Sequence, residues 1–309
     1  MNVALKPAPL DADGQQELIE TLFRPMGVDG VLARTGRYEA VVRGLEAFID
    51  SRRPAQAAVL RFPPVMSRKM IERSGYLNSF PNLLGCMCCL TGSEREITGT
   101  VASFNAGQSD WTDALAASDL VLSPASCYPI YPMAAQAGPV PRAGLWFDVA
   151  CDCFRREPSK SIDRLQSFRM REFVRIGTAE QILAFRAEWI ERAQGMADEL
   201  GLAYGVDVAN DPFFGRGGEI MAASQVQLAL KFELLVPVVS ATKPTACMSF
   251  NYHLEHFTEV WDMRDEDGAM PHSGCVAFGM DRLAVAMFAT HGLDPALWPA
   301  KLRRSLQLT

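Results

Sequence analysis

Long apolar stretches are missing from this sequence of 309 residues. No run of about 18 apolar residues, the length that crosses a membrane as a helix, occurs anywhere in it. The start, MNVALKPAPLDADGQQ, lacks the basic flank and apolar centre of a secretory signal. The sequence therefore predicts a cytosolic protein.

An excess of positive charge is missing as well, because the net charge is -6 and the pI is near 5.4. Nonspecific nucleic-acid binding depends on a broad basic face that neutralises phosphates. The charge balance argues against that class of protein. A local basic pocket for a small phosphate compound remains open.

Eight cysteines are present, and in the cytosol we expect them reduced, as core residues or metal ligands. CMCC (86–89) and CDC (151–153) lack the two-residue spacer usual in zinc knuckles, which favours core packing for both. In HLEH, His253 and His256 would face opposite sides of a strand, so we predict structural roles.

Apolar periodicity predicts amphipathic helices over 15–23 and 36–51, and a longer one over 178–200 between a Thr178 cap and Gly201. MDRLAVAMFATHG predicts a helix that ends at Gly292. Strand-forming residues are enriched between these helices. The predicted strands cover 57–65, 145–154, 171–177, 225–239 and 245–263. This order predicts an α+β protein with an antiparallel sheet.

Residues 153–177 hold six arginines and one lysine in an otherwise acidic chain. We expect Arg155 on one strand, and Arg169 to Arg175 on the next, to gather over one sheet face. Lys160 and Arg164 lie in the loop between them. Guanidinium forks bind phosphate oxygens in bidentate fashion, which favours a phosphate site. A solvated hairpin with surface charges is the alternative.

The order FRRE, a loop, then FRMREF resembles the second signature motif of class II aminoacyl-tRNA synthetases. Five further segments resemble, in the family's order, seryl-tRNA synthetase motif 1, the amino-acid-binding strand, two cavity strands and motif 3. They are LRFPPVMSRKMIERSGYLNSFP (60–81), LSPASCYPIYPMAA (122–135), LKFELLVP (230–237), ACMSFNYHLEHF (246–257) and SGCVAFGMDRL (273–283).

The resemblance implies the class II fold, an antiparallel sheet flanked by helices, in a homodimer formed through motif 1. It also implies ATP with magnesium, bound bent across the sheet. Arg155 would hold the α-phosphate and Arg282 the γ-phosphate, with Phe173 stacked on adenine. The other implied nucleotide contacts are Glu157, Arg164, Leu165, Lys231, Ala246, Cys247, Met248 and Ser249.

Ordinary seryl-tRNA synthetases have threonine, serine and glutamate where this chain has Ala125, Ser126 and Cys127. With Glu172 and Cys275, Cys127 resembles the zinc ligands of methanogen-type seryl-tRNA synthetases and their shortened relatives. The resemblance implies a three-ligand zinc site whose open position binds the amino group of the substrate. Without it, Cys127 and Cys275 would be interpreted as buried thiols.

The segment 1–56 shows no sustained heptads, so a tRNA-binding helical arm is not expected. Relatives without that arm resemble amino acid:[carrier protein] ligases, which pass a small amino acid to the phosphopantetheine thiol of a carrier protein. We therefore expect an N-terminal helical segment (1–56) and a catalytic domain (57–309). The helix 178–200 could dock an acidic carrier through Arg186 and Arg192, or it could simply pack.

Two other functions remain open from the sequence. One is tRNA aminoacylation with a tRNA-binding arm supplied by a partner, and the other is a non-catalytic paralogue that senses an amino acid. Ala125 and Ser126 predict a small substrate, glycine or alanine. Serine is less favoured because no residue is assigned to its hydroxyl.

Overall fold

The computed structural model describes residues 9–308. Its longer helices are α1 (Ala12–Leu22), α2 (Gly36–Asp50), α5 (Glu94–Asn105), α7 (Ala179–Glu199), α8 (Gly215–Gln227) and α10 (Met280–His291). The short ones are α3 (Arg68–Arg73), α4 (Tyr76–Ser79), α6 (Ile130–Gln136), α9 (His256–Val260) and α11 (Ala300–Ser305). Two 3-10 turns cover Trp111–Ala114 and Pro295–Leu297.

Twelve strands are described in this part of the chain. They are β1 (Phe23–Val28), β2 (Val31–Arg34), β3 (Ala58–Arg61), β4 (Val65–Ser67), β5 (Cys86–Leu90), β6 (Leu115–Leu122), β7 (Leu145–Phe154), β8 (Ser167–Gly177), β9 (Gly205–Val208), β10 (Lys231–Val236), β11 (Thr245–Leu254) and β12 (His272–Gly279).

A seven-stranded sheet in the order β3-β7-β8-β12-β11-β10-β9 organises the fold. Its neighbours are antiparallel except for the β3–β7 pair at one end. Strands β4, β6 and β5 form a separate three-stranded sheet, and β1 and β2 form a hairpin. The predicted antiparallel α+β architecture is confirmed.

The main hydrophobic core lies on one face of the large sheet, under α1, α2, α7 and α10. Phe173 on β8 and Phe278 on β12 pack there against Trp189 of α7. A second core, which includes Tyr131, Val174 and other residues, lies on the opposite face. Side chains alternate along each strand, so adjacent residues of β8 enter different layers.

Local sequence signals correctly predicted both ends of α7. Thr178 and Gln181 form a reciprocal capping box at its start, and Gly201 follows the last turn with a φ of +66°. The helix predicted over 178–200 is therefore confirmed. The helix predicted to end at Gly292 is also confirmed, because α10 ends at His291.

Two strand predictions were wrong over half of their length. The segment 225–239 begins as the last turn of α8, and the chain reverses at Ala229, where φ is +48°, before β10 starts at Lys231. The segment 245–263 leaves the sheet at Leu254, where φ is +54°, and continues as α9. Alternating apolar residues alone do not reveal such backbone reversals.

Candidate active site

A cavity of about 340 Å³ lies on the face of the large sheet opposite the main core. Ten of the residues predicted from the sequence line it. They are Arg155, Lys231, Ala246, Cys247, Met248, Ser249 and Arg282, together with Cys127, Glu172 and Cys275. Residues that span 155 positions of the chain, from Cys127 to Arg282, are thus brought together by four neighbouring strands and the loops at their ends.

Arg155 and Arg282 face this cavity from different elements. Arg155 follows β7 and donates from Nε to the carbonyl of Pro124 at 3.0 Å. Arg282, in the first turn of α10, donates to the carbonyls of Asp163 at 2.9 Å and Ala246 at 3.1 Å. These hydrogen bonds orient the two guanidinium groups without neutralising their charge.

The pKa of Arg282 is lowered by burial and next by the positive charge of Arg155. The two guanidinium groups therefore repel each other across the cavity. An anion bound between them would remove this repulsion and gain two charge-assisted contacts. The arrangement is therefore chemically suited to a polyanion.

The expectation that all arginines of the basic hairpin share one sheet face is wrong. Arg169, Arg171 and Arg175 project to the helical side, because the period of two places them opposite Met170 and Glu172. Arg169 forms salt bridges with Glu39 and Asp281. These arginines stabilise the helical layer and do not reach the cavity.

The other two arginines, Arg171 and Arg175, also pack on the helical side of the sheet. Arg171 is 3% exposed and bridges Asp148 and Asp50, each at 2.5 Å. The Arg175 guanidinium carbon lies 3.9 Å from the centre of the Trp146 ring, a cation–π contact. Both side chains therefore stabilise the packing of the helical layer.

Phe173 is also on the helical side, with none of its surface exposed. Its ring packs against Trp189 at 5.0 Å and Phe278 at 5.3 Å between centroids. The predicted adenine-stacking role is therefore wrong, since the whole sheet separates this ring from the cavity. The resemblance located the strand correctly but assigned the wrong side of it.

Three other predicted nucleotide contacts lie in the loop between β7 and β8. These three residues are beside the cavity and do not line it. Glu157 forms a salt bridge with Arg164, which is exposed. Leu165 is 7% exposed and belongs to the main core. Nucleotide contact by these residues stays a prediction.

Lys231 is held in the cavity wall by two carboxylates that the sequence did not connect with it. Its Nζ lies 2.6 Å from Asp211 and 3.0 Å from Glu233. Burial lowers the pKa of Lys231, but these two carboxylates more than offset it, so the pKa is raised. Gln225 of α8 also donates to Asp211 at 2.9 Å and connects that helix to the wall.

Cys127, Glu172 and Cys275 meet at the floor of the cavity. One Glu172 oxygen accepts hydrogen bonds from the Cys127 amide at 3.0 Å and from the amide and hydroxyl of Ser126 at 3.0 and 2.8 Å. The hydrogen bond with Cys275, then burial, then the charge of Glu172 raise the pKa of Cys127. The three side chains are therefore close neighbours.

The pKa of Cys275 is lowered by its hydrogen bond with Cys127, but burial and Glu172 outweigh this and raise it. Both thiols are thus protonated without a metal ion. Among residues 9–308, no group of three or more His, Cys, Asp or Glu side chains is already arranged as a metal centre. The donor types and their proximity fit zinc, and binding would require the thiols to lose their protons.

His253 is a site residue that the sequence prediction missed. Its Nε2 lies 3.7 Å from the Cys275 sulfur, and its Nδ1 lies 3.2 Å from the hydroxyls of Tyr131 and Ser273. Burial, reinforced by His256, lowers the pKa of His253 to about 4. The turn at Leu254 places the two histidines on different elements, yet both line the cavity.

The cysteine patterns divide into two outcomes. Cys151 and Cys153 are buried on β7 with their sulfurs 3.5 Å apart, as core packing predicts. Cys86, Cys88 and Cys89 are exposed, so their predicted core packing is wrong. They lie on β5, which is an edge strand of the three-stranded sheet.

The two arginines considered for carrier docking on α7 already have partners in the chain. Arg186 donates to the carbonyl of Ala229 at 2.6 Å, and Arg192 pairs with Glu188 at 2.6 Å. Six apolar residues of the same helix, from Ile182 to Ala197, are buried in the main core. These contacts agree with the packing alternative, and docking through α7 stays a prediction.

Comparison with known proteins shows the family of this chain. The chain is 59% identical, over 100% of its length, to amino acid--[acyl-carrier-protein] ligases 1 and 2 of Bradyrhizobium diazoefficiens. The alignments cover 96% and 93% of those two proteins. The chain belongs to the amino acid--[acyl-carrier-protein] ligases. No model in the family scan matches it.

More distant similarity connects these ligases with seryl-tRNA synthetases. The type-2 serine--tRNA ligase of Methanopyrus kandleri is 28% identical over 58% of this chain and 36% of that protein. A solved structure of M. kandleri SerRS with A. aeolicus tRNASec superposes with a TM-score of 0.82 at 22% identity. The match covers 98% of this chain but only 61% of that synthetase.

The cytoplasmic serine-tRNA ligase of Naegleria fowleri, solved with AMP, gives a TM-score of 0.70 at 14% identity. At these identities the superpositions establish the fold alone. The predicted class II synthetase fold is confirmed. In residues 9–308, none of the helices has both the length and the apolar character that a membrane span requires.

Proposed function

We propose that this chain activates a small amino acid with ATP and transfers it, through an aminoacyl adenylate, to the phosphopantetheine thiol of a carrier protein. The names of the two Bradyrhizobium relatives support the amino acid and the carrier protein. The activation chemistry is carried by one observation, the two unneutralised arginines Arg155 and Arg282 facing a single cavity.

Activation joins two anions, because the amino acid carboxylate attacks the α-phosphorus of ATP. A new carboxylate oxygen–phosphorus bond forms, the bond between the α-phosphorus and the oxygen that bridges to the β-phosphate breaks, and pyrophosphate leaves with that electron pair. A magnesium ion would help to neutralise the phosphate charges. Arg155 would neutralise the α-phosphate, where charge increases in the transition state, and Arg282 would hold the γ-phosphate. Both are held in place before substrate binds, so little reorganisation is needed.

In the second half-reaction, the carrier thiol attacks the carbonyl carbon of the adenylate. A thioester forms, the S–H bond breaks and releases its proton to the solvent, and AMP leaves with the electron pair of the carbon–oxygen bond. The apolar side of the cavity, where Phe80 stacks on Phe213 at 5.1 Å and contacts Tyr76, keeps water away from this reactive anhydride.

Zinc is the second part of the proposal. Cys127, Glu172 and Cys275 would hold the ion, and its remaining position would bind the substrate's amine as a Lewis acid. His253 would donate from Nε2 to the Cys275 thiolate, since its Nδ1 faces two hydroxyls. The selection of amino acids over other carboxylates would then depend on these residues.

Glycine or alanine is the substrate that we propose. Ala125 and Ser126 are buried next to Glu172, and the Ser126 hydroxyl is already donated to that carboxylate. It is therefore not available as a donor to a substrate side chain. A cytosolic homodimer completes the proposal, and the eight free cysteines of the chain support the cytosolic location.

Pyrophosphate exchange with a panel of amino acids tests the first half-reaction. We expect exchange with glycine or alanine and little with serine or larger residues. Transfer of the labelled amino acid to a carrier protein tests the second half-reaction. The carrier without its phosphopantetheine arm is the matched control and should stay unlabelled.

Two outcomes would contradict the proposal. Transfer to tRNA in place of the carrier would favour an aminoacyl-tRNA synthetase that works with a partner. Absence of exchange with every amino acid, in protein that contains zinc, would favour a non-catalytic sensor.

A further inference from the structure

The hairpin β1–β2 contacts the nucleotide side of the molecule although apolar burial contributes little to holding it there. Phe23 is the only residue of β1 that is buried, and Met26 and Val28 are 61% and 57% exposed. In β2 no residue is fully buried. The position of the hairpin is instead fixed by hydrogen bonds at its turn and at its end.

The turn binds the end of the motif 2 loop. The amide of Gln166 donates to the carbonyl of Gly30 at 2.8 Å, and its side-chain Nε2 donates to the carbonyl of Asp29 at 2.7 Å. The carbonyl of the same Gln166 accepts from the amide of Arg155 at 2.9 Å. Gln166, which is 6% exposed, therefore connects the hairpin turn directly to the backbone of Arg155.

The approach at the turn leaves little room for a side chain. Gly30 has a φ of +77°, and a Cβ atom there would lie 3.2 Å from the Gln166 amide nitrogen and 3.1 Å from its Cγ. Gly27, in the same hairpin, has a φ of +83°, but no atom of residues 9–308 lies within 4 Å of a Cβ there. The two glycines have the same backbone requirement, and only Gly30 contacts the loop.

The end of β2 binds motif 3. Arg34 donates to the carbonyl of Ser167 at 2.8 Å and to Asp281 at 2.8 Å. Asp281 is 3% exposed and precedes Arg282 in the chain. It also accepts from the Arg169 amide at 2.6 Å and the Tyr38 hydroxyl at 3.0 Å.

We propose that this hairpin is a brace for the nucleotide site, in which Gly30 and Arg34 position Arg155 and Arg282 for the triphosphate. The proposal rests on the ATP-dependent function proposed above. Arg34 is a positioning residue, because it contacts Asp281 and Ser167 and does not reach the cavity. Ser167 directly follows Gln166 in the chain. Loss of the brace would let the two cavity arginines move apart under their mutual repulsion.

Arg34→Ala tests the brace against Arg24→Ala, whose guanidinium, among residues 9–308, donates only to the nearby carbonyls of Glu20 and Phe23. We expect Arg34→Ala to raise the KM for ATP roughly tenfold, the value of one charged hydrogen bond. The KM for the amino acid should change less than about twofold. Arg34→Lys, which keeps the contact with Asp281, should give an intermediate KM for ATP, and Arg24→Ala should match the wild type.

Gly30→Ala against Gly27→Ala is a second pair that does not depend on the folding of the arginine variant. Both substitutions carry the same backbone strain, so only a difference between them reports the contact with Gln166. We expect a raised KM for ATP in Gly30→Ala alone. Equal KM values for ATP in all four alanine variants would overturn the brace, as would equal increases for ATP and amino acid.

Calorimetric binding of a non-hydrolysable ATP analogue separates this inference from the proposed function. If the wild type shows no amino-acid-dependent exchange but binds the analogue, the proposed function fails and the brace is still tested by the affinities of the variants. If the wild type exchanges normally and Arg34→Ala binds the analogue with unchanged affinity, the brace alone is wrong. Absence of analogue binding in the wild type would overturn both.

Discussion

The two faces of strand β8 use charged residues in opposite ways. On the helical face, Arg169 and Arg171 are paired with carboxylates of α2, β7 and α10, and the charges cancel. On the cavity face, Glu172 accepts hydrogen bonds, and the nearby Arg155 forms no salt bridge with any of residues 9–308. A single basic segment therefore contributes stability on one side and, in the proposed function, ligand binding on the other.

This difference shows that the number of arginines in a segment does not measure a phosphate site. Buried arginines with carboxylate partners have no charge to offer a ligand, whereas arginines held by carbonyls keep theirs. Substitutions on the helical face should therefore lower the free energy of unfolding, and those on the cavity face should lower activity. Four predictions test this separation.

Asp148→Ala should cause the largest change. Asp148 is fully buried and pairs with Arg171 at 2.5 Å, and with Arg53 and Arg61 at longer range. Its removal leaves a buried guanidinium short of a partner, so we expect a loss of about 3 to 5 kcal/mol in the free energy of unfolding. Urea denaturation measures it. Asp152→Ala, an exposed carboxylate on the same strand face, is the control and should change stability little.

Arg282→Ala should have the next largest effect, on activity. We expect kcat/KM for ATP in pyrophosphate exchange to fall roughly 10²- to 10³-fold, about 3 kcal/mol, by loss of a preorganised cation. The exposed Arg156, which follows Arg155 in the hairpin β7–β8, supplies the control, and Arg156→Ala should retain most of the activity. A comparable loss in both variants would mean that net charge, and not the cavity, decides activity.

Cys275→Ser should separate metal binding from the remaining cavity chemistry. We expect the zinc content of the purified protein to fall from about one ion per chain to nearly none, and the KM for the amino acid to rise roughly 10- to 100-fold. Cys153→Ser, a buried thiol on the same sheet face, should keep its zinc. Full zinc content in Cys275→Ser would remove this residue from the ligand set.

The smallest effect concerns acid stability of the helical face. Burial raises the pKa of Asp281, but Arg34 and Arg169 more than offset it, so the pKa lies below its ordinary value. The folded state then holds fewer protons than the unfolded state as the pH falls below about 4, and stability is lost there by at most about 1.4 kcal/mol per pH unit. Urea denaturation between pH 7 and 3 should show a smaller acid loss for Asp281→Asn.

Local chemistry explains which elements were predictable from the sequence. The capping box at Thr178 and the apolar stripe from Ile182 to Met196 determine α7 with little help from the rest of the chain. The strands predicted over 145–154 and 171–177 follow from their β-branched and aromatic content in the same way, although β8 begins four residues earlier, at Ser167. Each of these signals lies within the helix or strand that it predicts, so it can be recognised without the rest of the chain.

The side of a strand is not contained in local sequence. Phe173 and Glu172 are neighbours in the chain, and only the register of β8 against β7 and β12 determines which one enters the cavity. The resemblance brought Cys127, Glu172 and Cys275, the predicted zinc ligands, into one cavity because it carries that long-range information. It could not supply Asp211 or His253, whose roles depend on turns that no short motif marks.

The three exposed thiols on β5 affect how cysteine chemistry should be interpreted in this enzyme. Cys86, Cys88 and Cys89 are open to solvent, whereas the other five cysteines are buried. An alkylating reagent or a maleimide dye would label this edge strand well before it reached Cys127 or Cys275. Inactivation by such reagents would consequently say nothing about the buried thiols unless the exposed three had first been changed to serine, and a dye placed there would lie outside the cavity lining.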